Sequence, residues 1–152
     1  MNIAALLATK GPNVVTVAPD ASVRQALALL AEHNIGALVV VDAAGAPVGI
    51  LSERDIVRAA ARDESVFGRT VSGLMTRDVV VGGPHDDLVA VGSTMTEKRI
   101  RHLPVVDRGR LVGIVSIGDV VKAQRDQYQG EVDTLQVQLL GDQAPAVAPA
   151  RG

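Results

Sequence analysis

One sequence unit occurs twice in this chain, and this internal repeat constrains the fold more than any other feature. Residues 49–55 (GILSERD) and 113–119 (GIVSIGD) share Gly, Ser and Asp at an offset of 64 positions, 113 minus 49. Upstream, residues 35–42 (IGALVVVD) match residues 100–107 (IRHLPVVD) at an offset of 65, 100 minus 35. The second copy therefore has a hairpin turn that is one residue shorter, a change that a surface loop tolerates.

Each copy has the residue pattern of a β-α-β-β-α unit. Runs of β-branched residues at 14–17 and 79–81 predict a first strand, and a proline follows each run. Apolar residues at helical spacing predict a helix next, with Ser22 as the N-cap in the first copy. Two strands and a tight turn follow, and Ser52 or Ser116 begins a last helix. The predicted strand pairs are 38–41 with 48–51, and 103–106 with 111–115.

The repeat predicts an α/β (α+β) fold with two domains. One copy alone is too small to be more than marginally stable. We therefore expect the copies to pack sheet against sheet around a shared core, as a pseudo-two-fold pair. The predicted boundaries are 1–66 for the first domain with its lead-in helix, 67–125 for the second domain, 126–140 for a C-terminal helix and 141–152 for a disordered tail.

An apolar stripe runs along the predicted C-terminal helix. Tyr128, Val132, Leu135 and Leu139 are spaced by 4, 3 and 4 residues, which is heptad-like. Two interpretations remain open at this point: the stripe packs on its own domain, or it contacts a second subunit.

The composition argues against several classes of function. The chain has 15 Lys and Arg against 17 Asp and Glu, so a nucleic-acid partner is not expected. It has no Cys, which excludes disulfides and thiolate metal sites. The longest apolar runs are far shorter than the roughly 20 residues of a membrane span, and the N-terminus does not resemble a signal peptide. We expect a cytoplasmic protein without a membrane partner.

The sequence contains no recognisable catalytic motif. His33, His85 and His102 are not at metal-ligand spacing, so no metal site is predicted. The phosphate-binding loops G-x-G-x-x-G and G-x-x-x-x-G-K-[ST] and the nucleophile motif G-x-S-x-G are also missing. We expect a protein that is not an enzyme and has no catalytic cofactor.

The repeated Ser and Asp suggest a binding site. Ser52 and Ser116 follow a strand and begin a helix, where unpaired N–H groups and the helix dipole attract anions. Asp55 and Asp119 lie three residues later, where a carboxylate can accept two hydrogen bonds from a ribose diol. The alternative is that Ser caps the helix and Asp completes the capping box. The two roles are compatible.

The two Gly-x-x-Ser-x-x-Asp segments, each after a strand-turn-strand, resemble cystathionine β-synthase-type (CBS) domain pairs over residues 1 to 125. The resemblance implies two nucleotide clefts, each with the Ser and Asp of one copy and the first strand of the other. One cleft would use Thr16, Arg101, His102, Ser116 and Asp119. The other would use Gly36, Ala37, Ser52, Arg54, Asp55 and Val81.

The resemblance implies an adenine-nucleotide sensor that forms homodimers and signals to a protein partner. Thr16 and the cationic pair Arg101 and His102 favour AMP (or ADP or ATP) in the first cleft. Small residues at 36 and 37 beside Arg54 favour a longer ligand such as NAD(H) in the second. A solvated basic edge and an exposed ion pair are the alternatives for these cations. The alternative function is a dimerisation or interaction protein with vestigial clefts.

Overall fold

The computed structural model describes residues 1–151, with side chains as far as Gly141. Its helices and strands are α1 (Ile3–Lys10), β1 (Thr16–Val17), α2 (Val23–His33), β2 (Ala37–Val41), β3 (Pro47–Ser52), α3 (Glu53–Arg62), α4 (Leu88–Lys98), β4 (His102–Asp107), β5 (Arg110–Ser116) and α5 (Ile117–Arg151). Two 3₁₀ turns, Glu64–Gly68 and Val71–Gly73, lie between α3 and α4. The first copy thus has the predicted β-α-β-β-α order.

The two hairpins are built in the same way. Strands β2 and β3 are antiparallel with Ala37 opposite Ser52, and β4 and β5 are antiparallel with His102 opposite Ser116. Each hairpin has a register irregularity at the same position of the repeat, after Val40 and after Val105. Strand β1 adds in parallel to β2 and completes a three-stranded sheet. Each hairpin therefore ends in a serine that directly precedes a helix.

The prediction of a strand at 79–81 is wrong. The second copy has a single parallel bridge in its place, between Gly82 and Val105. Gly82 lies 65 positions after Val17, which pairs with Val40 in the first copy. Two successive glycines offer no side chains for packing on a strand. The next amide, Gly83 N, donates to Asp86 Oδ2 at 2.8 Å, so the chain turns there.

The buried apolar side chains form two clusters, which corrects the expectation of one shared core. Each cluster is completed by the segment that precedes the other copy. Ile3, Leu6 and Leu7 of α1 are buried in the cluster of the second copy. Val71 is buried in the cluster of the first copy, and Met75 packs against it. These two lead-in segments, α1 and residues 66–76, therefore tie the copies together, and the packing crosses the predicted boundary at residue 66.

The repeated glycine of the motif allows this exchange. A methyl group on Gly113 would lie 2.7 Å from Leu7 Cδ1. A methyl group on Gly49 would collide with the Met75 thioether. Each glycine therefore admits a side chain of the other copy's lead-in segment onto its hairpin.

Helix α5 packs on the second copy only through its first turns, where Val120 and Ala123 are buried. Tyr128, Leu135 and Leu139 are 69%, 58% and 60% exposed. The helix continues to Arg151, where a separate helix at 126–140 and a disordered tail at 141–152 were predicted. Gly141 lacks the positive φ that ends many helices, so the chain has no stop there. Gly152 lies outside the described residues.

Candidate functional site

Both repeated serines cap helices. Ser52 Oγ accepts a hydrogen bond from Asp55 N at 3.2 Å, and Ser52 N donates to Asp55 Oδ2 at 3.0 Å. Ser116 and Asp119 form the same pair, at 3.0 and 2.9 Å. The capping interpretation is therefore confirmed in both copies. Among the described residues, Oδ1 of Asp55 has no donor, so this carboxylate can still accept hydrogen bonds from a ligand.

A cavity of about 310 Å³ lies beside Asp55, between the two copies. Its walls come from the start of α3, the end of α4, the residues before β4 and the segment after the second 3₁₀ turn. The lining residues are Gly36, Ile50, Ser52, Glu53, Arg54, Asp55, Arg58, Thr76, Asp78, Val79, Val80, Arg99, Ile100, Arg101 and His102. The volume falls at the lower end of the range of small-molecule sites.

The predicted grouping of residues into two clefts is partly wrong. Gly36, Ser52, Arg54 and Asp55 line the cavity as expected, whereas Arg101 and His102, which were assigned to the Asp119 cleft, line the same cavity. The residues before β2 and before β4 are equivalent in the repeat and meet between the copies. A methyl group on Gly36 would lie 3.8 Å from His102 Nε2.

Five predicted residues do not line this cavity: Thr16, Ala37, Val81, Ser116 and Asp119. Ala37 is only 5% exposed, because β2 is covered on both faces. Thr16 is exposed on β1, away from the lining residues. Val81 is 47% exposed and lines a separate depression of about 180 Å³ with Gly82 and Asp86. Residues 79–81 do not form a strand, and Val79 and Val80 line the cavity where Val81 was predicted.

Several lining residues were not predicted from the sequence, among them Thr76, Arg58 and Arg99. Thr76 pairs with Ile50 in both directions: Ile50 N donates to Thr76 O at 3.0 Å, and Thr76 N donates to Ile50 O at 2.9 Å. Arg58 lies one turn after Arg54, so helical periodicity could have predicted it. Arg99 has a φ of 54° as the C-cap of α4, a position that the repeat equates with Asn34.

The cavity has a small excess of positive charge. Four arginines, at positions 54, 58, 99 and 101, face three acids, at 53, 55 and 78. Arg54 forms no ion pair with a described residue, so the predicted alternative of an exposed ion pair is not seen. Burial, followed by the charges of Lys10 and Arg101, lowers the pKa of His102 below 6.5, against the opposing effect of Asp119 and Glu53. His102 is therefore mainly neutral at pH 7.

The second aspartate has a different environment. Lys10 Nζ lies 2.5 Å from Asp119 Oδ2 and donates to Ile114 O at 2.7 Å. Burial acts to raise the pKa of Asp119, but the hydrogen bonds from Lys10 and Ser116 outweigh it, and the pKa lies below 3.8. Lys10 was not predicted as a site residue, because it lies 109 residues from Asp119 and no motif in the sequence links the two.

The described part of the chain has no group of three or more His, Cys, Asp or Glu side chains arranged to hold a metal ion. None of its described helices is both long and apolar enough to cross a membrane.

Two copies of one α/β unit, each with a Ser–Asp pair that caps a helix, form a cavity lined by charged and apolar residues, and this arrangement defines a tandem-domain protein. The CBS domain model matches residues 7–62 and 71–126, and the chain belongs to this family. The CBS domain-containing protein YhcV of Bacillus subtilis (strain 168) is 38% identical over 118 residues, which are 76% of this chain and 82% of YhcV.

Solved structures confirm the resemblance and the fold class. A CBS-domain containing protein from Agrobacterium tumefaciens is 45% identical and superposes with a TM-score of 0.78, over 82% of this chain and 99% of that chain. The CBS domain pair of protein MJ0100, in complex with 5′-methylthioadenosine and S-adenosyl-L-methionine, is 29% identical with a TM-score of 0.75, over 84% of this chain and 98% of that chain.

Proposed function

We propose that this chain is a regulatory module that binds an adenosine-containing ligand in the Asp55 cavity and is not itself an enzyme. The observation that carries the proposal is the position of Asp55 on the cavity wall. Oδ2 accepts only the Ser52 amide, and Oδ1 has no donor among the described residues. Both oxygens can therefore take part in a bidentate contact with the two hydroxyls of a ribose. The related pair of MJ0100, which binds two adenosine compounds, supports this ligand class.

The cavity offers complementary surfaces for the rest of such a ligand. Val79, Val80, Ile50 and Ile100 supply apolar walls on which a base can rest. The arginines supply donors for phosphate oxygens, and guanidinium groups suit phosphates because they present a planar set of N–H donors. The cavity therefore combines an apolar wall, a carboxylate and a cationic side, which matches an adenosine phosphate.

The charge of the cavity favours an anionic ligand. The positive excess favours AMP, ADP, ATP or NAD(H) over a cationic compound such as S-adenosylmethionine. Because Arg101 and His102 line the Asp55 cavity, we assign the compact mononucleotide AMP to this cavity, where the sequence favoured NAD(H). A ligand between the copies would change how they pack on each other, and a protein partner would recognise this change.

Calorimetric titration with AMP, ATP, NAD and S-adenosylmethionine tests the proposal. We expect the Asp55→Ala variant to bind AMP about 10- to 100-fold more weakly, the scale for lost charged hydrogen bonds. This substitution also removes half of a capping box. The matched control is Ser22→Ala, which breaks the capping box of α2 and does not touch the cavity. Unchanged AMP affinity in Asp55→Ala would contradict the proposal.

The second candidate function is a non-catalytic dimerisation protein with vestigial clefts. The exposed stripe on α5 favours it, since Tyr128, Leu135 and Leu139 have no covering residues within the described part of the chain. The occupant we propose is a second copy of α5, because a heptad stripe is self-complementary: side chains of one helix fill the gaps of the other. Dimerisation without any nucleotide binding in the titration above would favour this candidate.

An enzymatic function makes a separate prediction. A nucleotide hydrolase would release ADP, AMP or phosphate from ATP. We expect no product when the purified protein is incubated with ATP, and product that tracks the protein through purification would contradict the proposal.

A further inference from the structure

The two Ser–Asp pairs have equivalent backbones but different neighbours. In the first copy, Ile50 O accepts a hydrogen bond from Thr76 N at 2.9 Å. In the second copy, the equivalent carbonyl of Ile114 accepts from the Lys10 ammonium at 2.7 Å. A side-chain cation of α1 thus takes the role that a backbone amide has in the first copy.

The same ammonium changes what the second aspartate can accept. Asp119 Oδ2 already accepts Ser116 N at 2.9 Å, and Lys10 Nζ is its second donor at 2.5 Å. A carboxylate oxygen has two lone pairs, so Oδ2 of Asp119 is fully used. Asp55 Oδ2 accepts only the Ser52 amide. Only Asp55 can therefore offer both oxygens to a pair of hydroxyls.

Lys10 is held in this position by its helix. Ile3, Leu6 and Leu7 of α1 are buried in the second copy, and the helix ends at Gly11, whose amide donates to Leu7 O at 2.7 Å. The packed helix places Lys10 within reach of the second copy, and the hydrogen bonds of the ammonium to Ile114 O and Asp119 Oδ2 hold the side chain there. Its side chain is 30% exposed and that of Asp119 is 25% exposed, so solvent screens the pair only in part.

We infer that Lys10 is a specificity-determining residue that keeps Asp119 from binding the ribose of adenosine ligands, so that each chain binds one ligand, at Asp55. The inference rests on the proposed function, since it concerns the same ligand class. The second half of the repeat then serves as a structural partner of the first: it supplies Arg99, Arg101 and the 76–80 wall to the Asp55 cavity and keeps its own aspartate occupied.

The test is the number of AMP molecules bound per chain, measured by equilibrium dialysis with radiolabelled AMP at saturation. The variant is Lys10→Met, which keeps an unbranched side chain at residue 10 and removes its ammonium. Lys10→Ala is the second variant, in case the methionine itself fills the space. The matched control is Lys98→Met, since Lys98 is also a basic residue in the last turn of a helix, α4, and does not line the cavity.

We expect wild type and Lys98→Met to bind one AMP, and at least one Lys10 variant to bind one more. Adding Asp119→Ala to that variant should remove the additional site, with a loss of at least about tenfold in affinity. The inference is overturned if both Lys10 variants bind the same number as wild type, or if wild type already binds two AMP molecules with one lost on Asp119→Ala.

A failure of the proposed function gives a different result. If wild type binds no AMP but a Lys10 variant binds one that depends on Asp119, the role of Lys10 at Asp119 stands, whereas binding at Asp55, and with it one ligand per wild-type chain, is contradicted. If no variant binds AMP, both are overturned. Circular dichroism and the urea midpoint of each variant show whether it has kept the fold.

Discussion

Gly36 lies against His102 where the two copies meet, and a methyl group on Gly36 would be 3.8 Å from His102 Nε2 and 3.6 Å from Glu53 Oε1. The two residues come from equivalent ends of β2 and β4, one small and one large. The absent side chain leaves room beside His102, and both residues line the cavity. A larger side chain at position 36 would therefore take up part of the cavity volume.

The first prediction concerns this position. Gly36 has no positive φ, and contacts of 3.6 to 3.8 Å are ordinary, so Gly36→Ala should fold and bind AMP within a few-fold of wild type. Gly36→Leu should fill part of the cavity and weaken AMP binding by at least about tenfold, while the urea midpoint changes little, because Gly36 lines the cavity and is not part of either apolar cluster. Equal AMP affinity in the two variants would show that AMP binds elsewhere.

The packing of each lead-in segment on the other copy predicts that replacing the repeated glycine lowers the stability of the fold. Gly49→Ala should destabilise the fold by about 1–3 kcal/mol, because its methyl group meets Met75. The matched control is Gly68→Ala, where nothing lies within 4 Å of the new methyl group. Urea unfolding measures both variants.

A double substitution separates this steric effect from a general loss of a glycine. Gly49→Ala combined with Met75→Ala should lose less stability than the two single effects added together, since the contact with the Met75 thioether is then removed and only the Thr76 carbonyl, at 3.0 Å, stays close to the new methyl group. Strictly additive effects would mean that Met75 does not cover Gly49 in solution.

His102 predicts a pH dependence of ligand binding. Its pKa in the free protein lies below 6.5, so the ring is mainly neutral at pH 7 and gains its proton only as the pH falls below 6.5. A phosphate in the cavity favours the protonated ring and raises its pKa in the complex, so AMP affinity should rise as the pH falls from about 8 to 6 and level off below the lowered pKa of the free protein. His102→Gln should remove this rise. The same slope in wild type and variant would exclude His102 from the phosphate site.

The same shift acts in the opposite direction on the stability of the free protein. The unfolded chain takes up the His102 proton at its ordinary pKa, whereas the folded protein resists protonation until a lower pH. Stability is therefore complete above pH 6.5 and decreases as the pH falls through the lowered pKa. In the absence of ligand, His102→Gln should reduce the loss of unfolding free energy between pH 7 and 5.

The stripe on α5 predicts a homodimer. Light scattering at micromolar concentration should give twice the chain mass, and Leu135→Lys with Leu139→Lys should give monomers, because two charges would enter the helix contact. The matched control is Val137→Lys, which is 68% exposed but lies off the stripe and should stay dimeric. A wild-type monomer would contradict the prediction, and a dimer that survives both stripe substitutions would place the contact elsewhere.

The repeat made local features predictable from the sequence. Contacts between residues far apart in the chain could not be predicted, because they depend on how the copies pack. Both hairpins and both Ser–Asp caps follow from alternation and capping chemistry that the chain shows within a few residues. The role of Lys10 does not, because its partner Asp119 is 109 residues away and is reached only when α1 packs on the other copy. Arg101 was assigned to the wrong cleft for the same reason, because residues of the same copy need not line the same cavity.

A crystal structure of the full chain with AMP tests the central claim most directly. We predict AMP in the cavity between the copies, with both ribose hydroxyls on the Asp55 carboxylate, the phosphate among Arg54, Arg99 and Arg101, and Lys10 still on Asp119. Ribose bound to Asp119, or crystals that take up no AMP at millimolar concentration, would contradict the account.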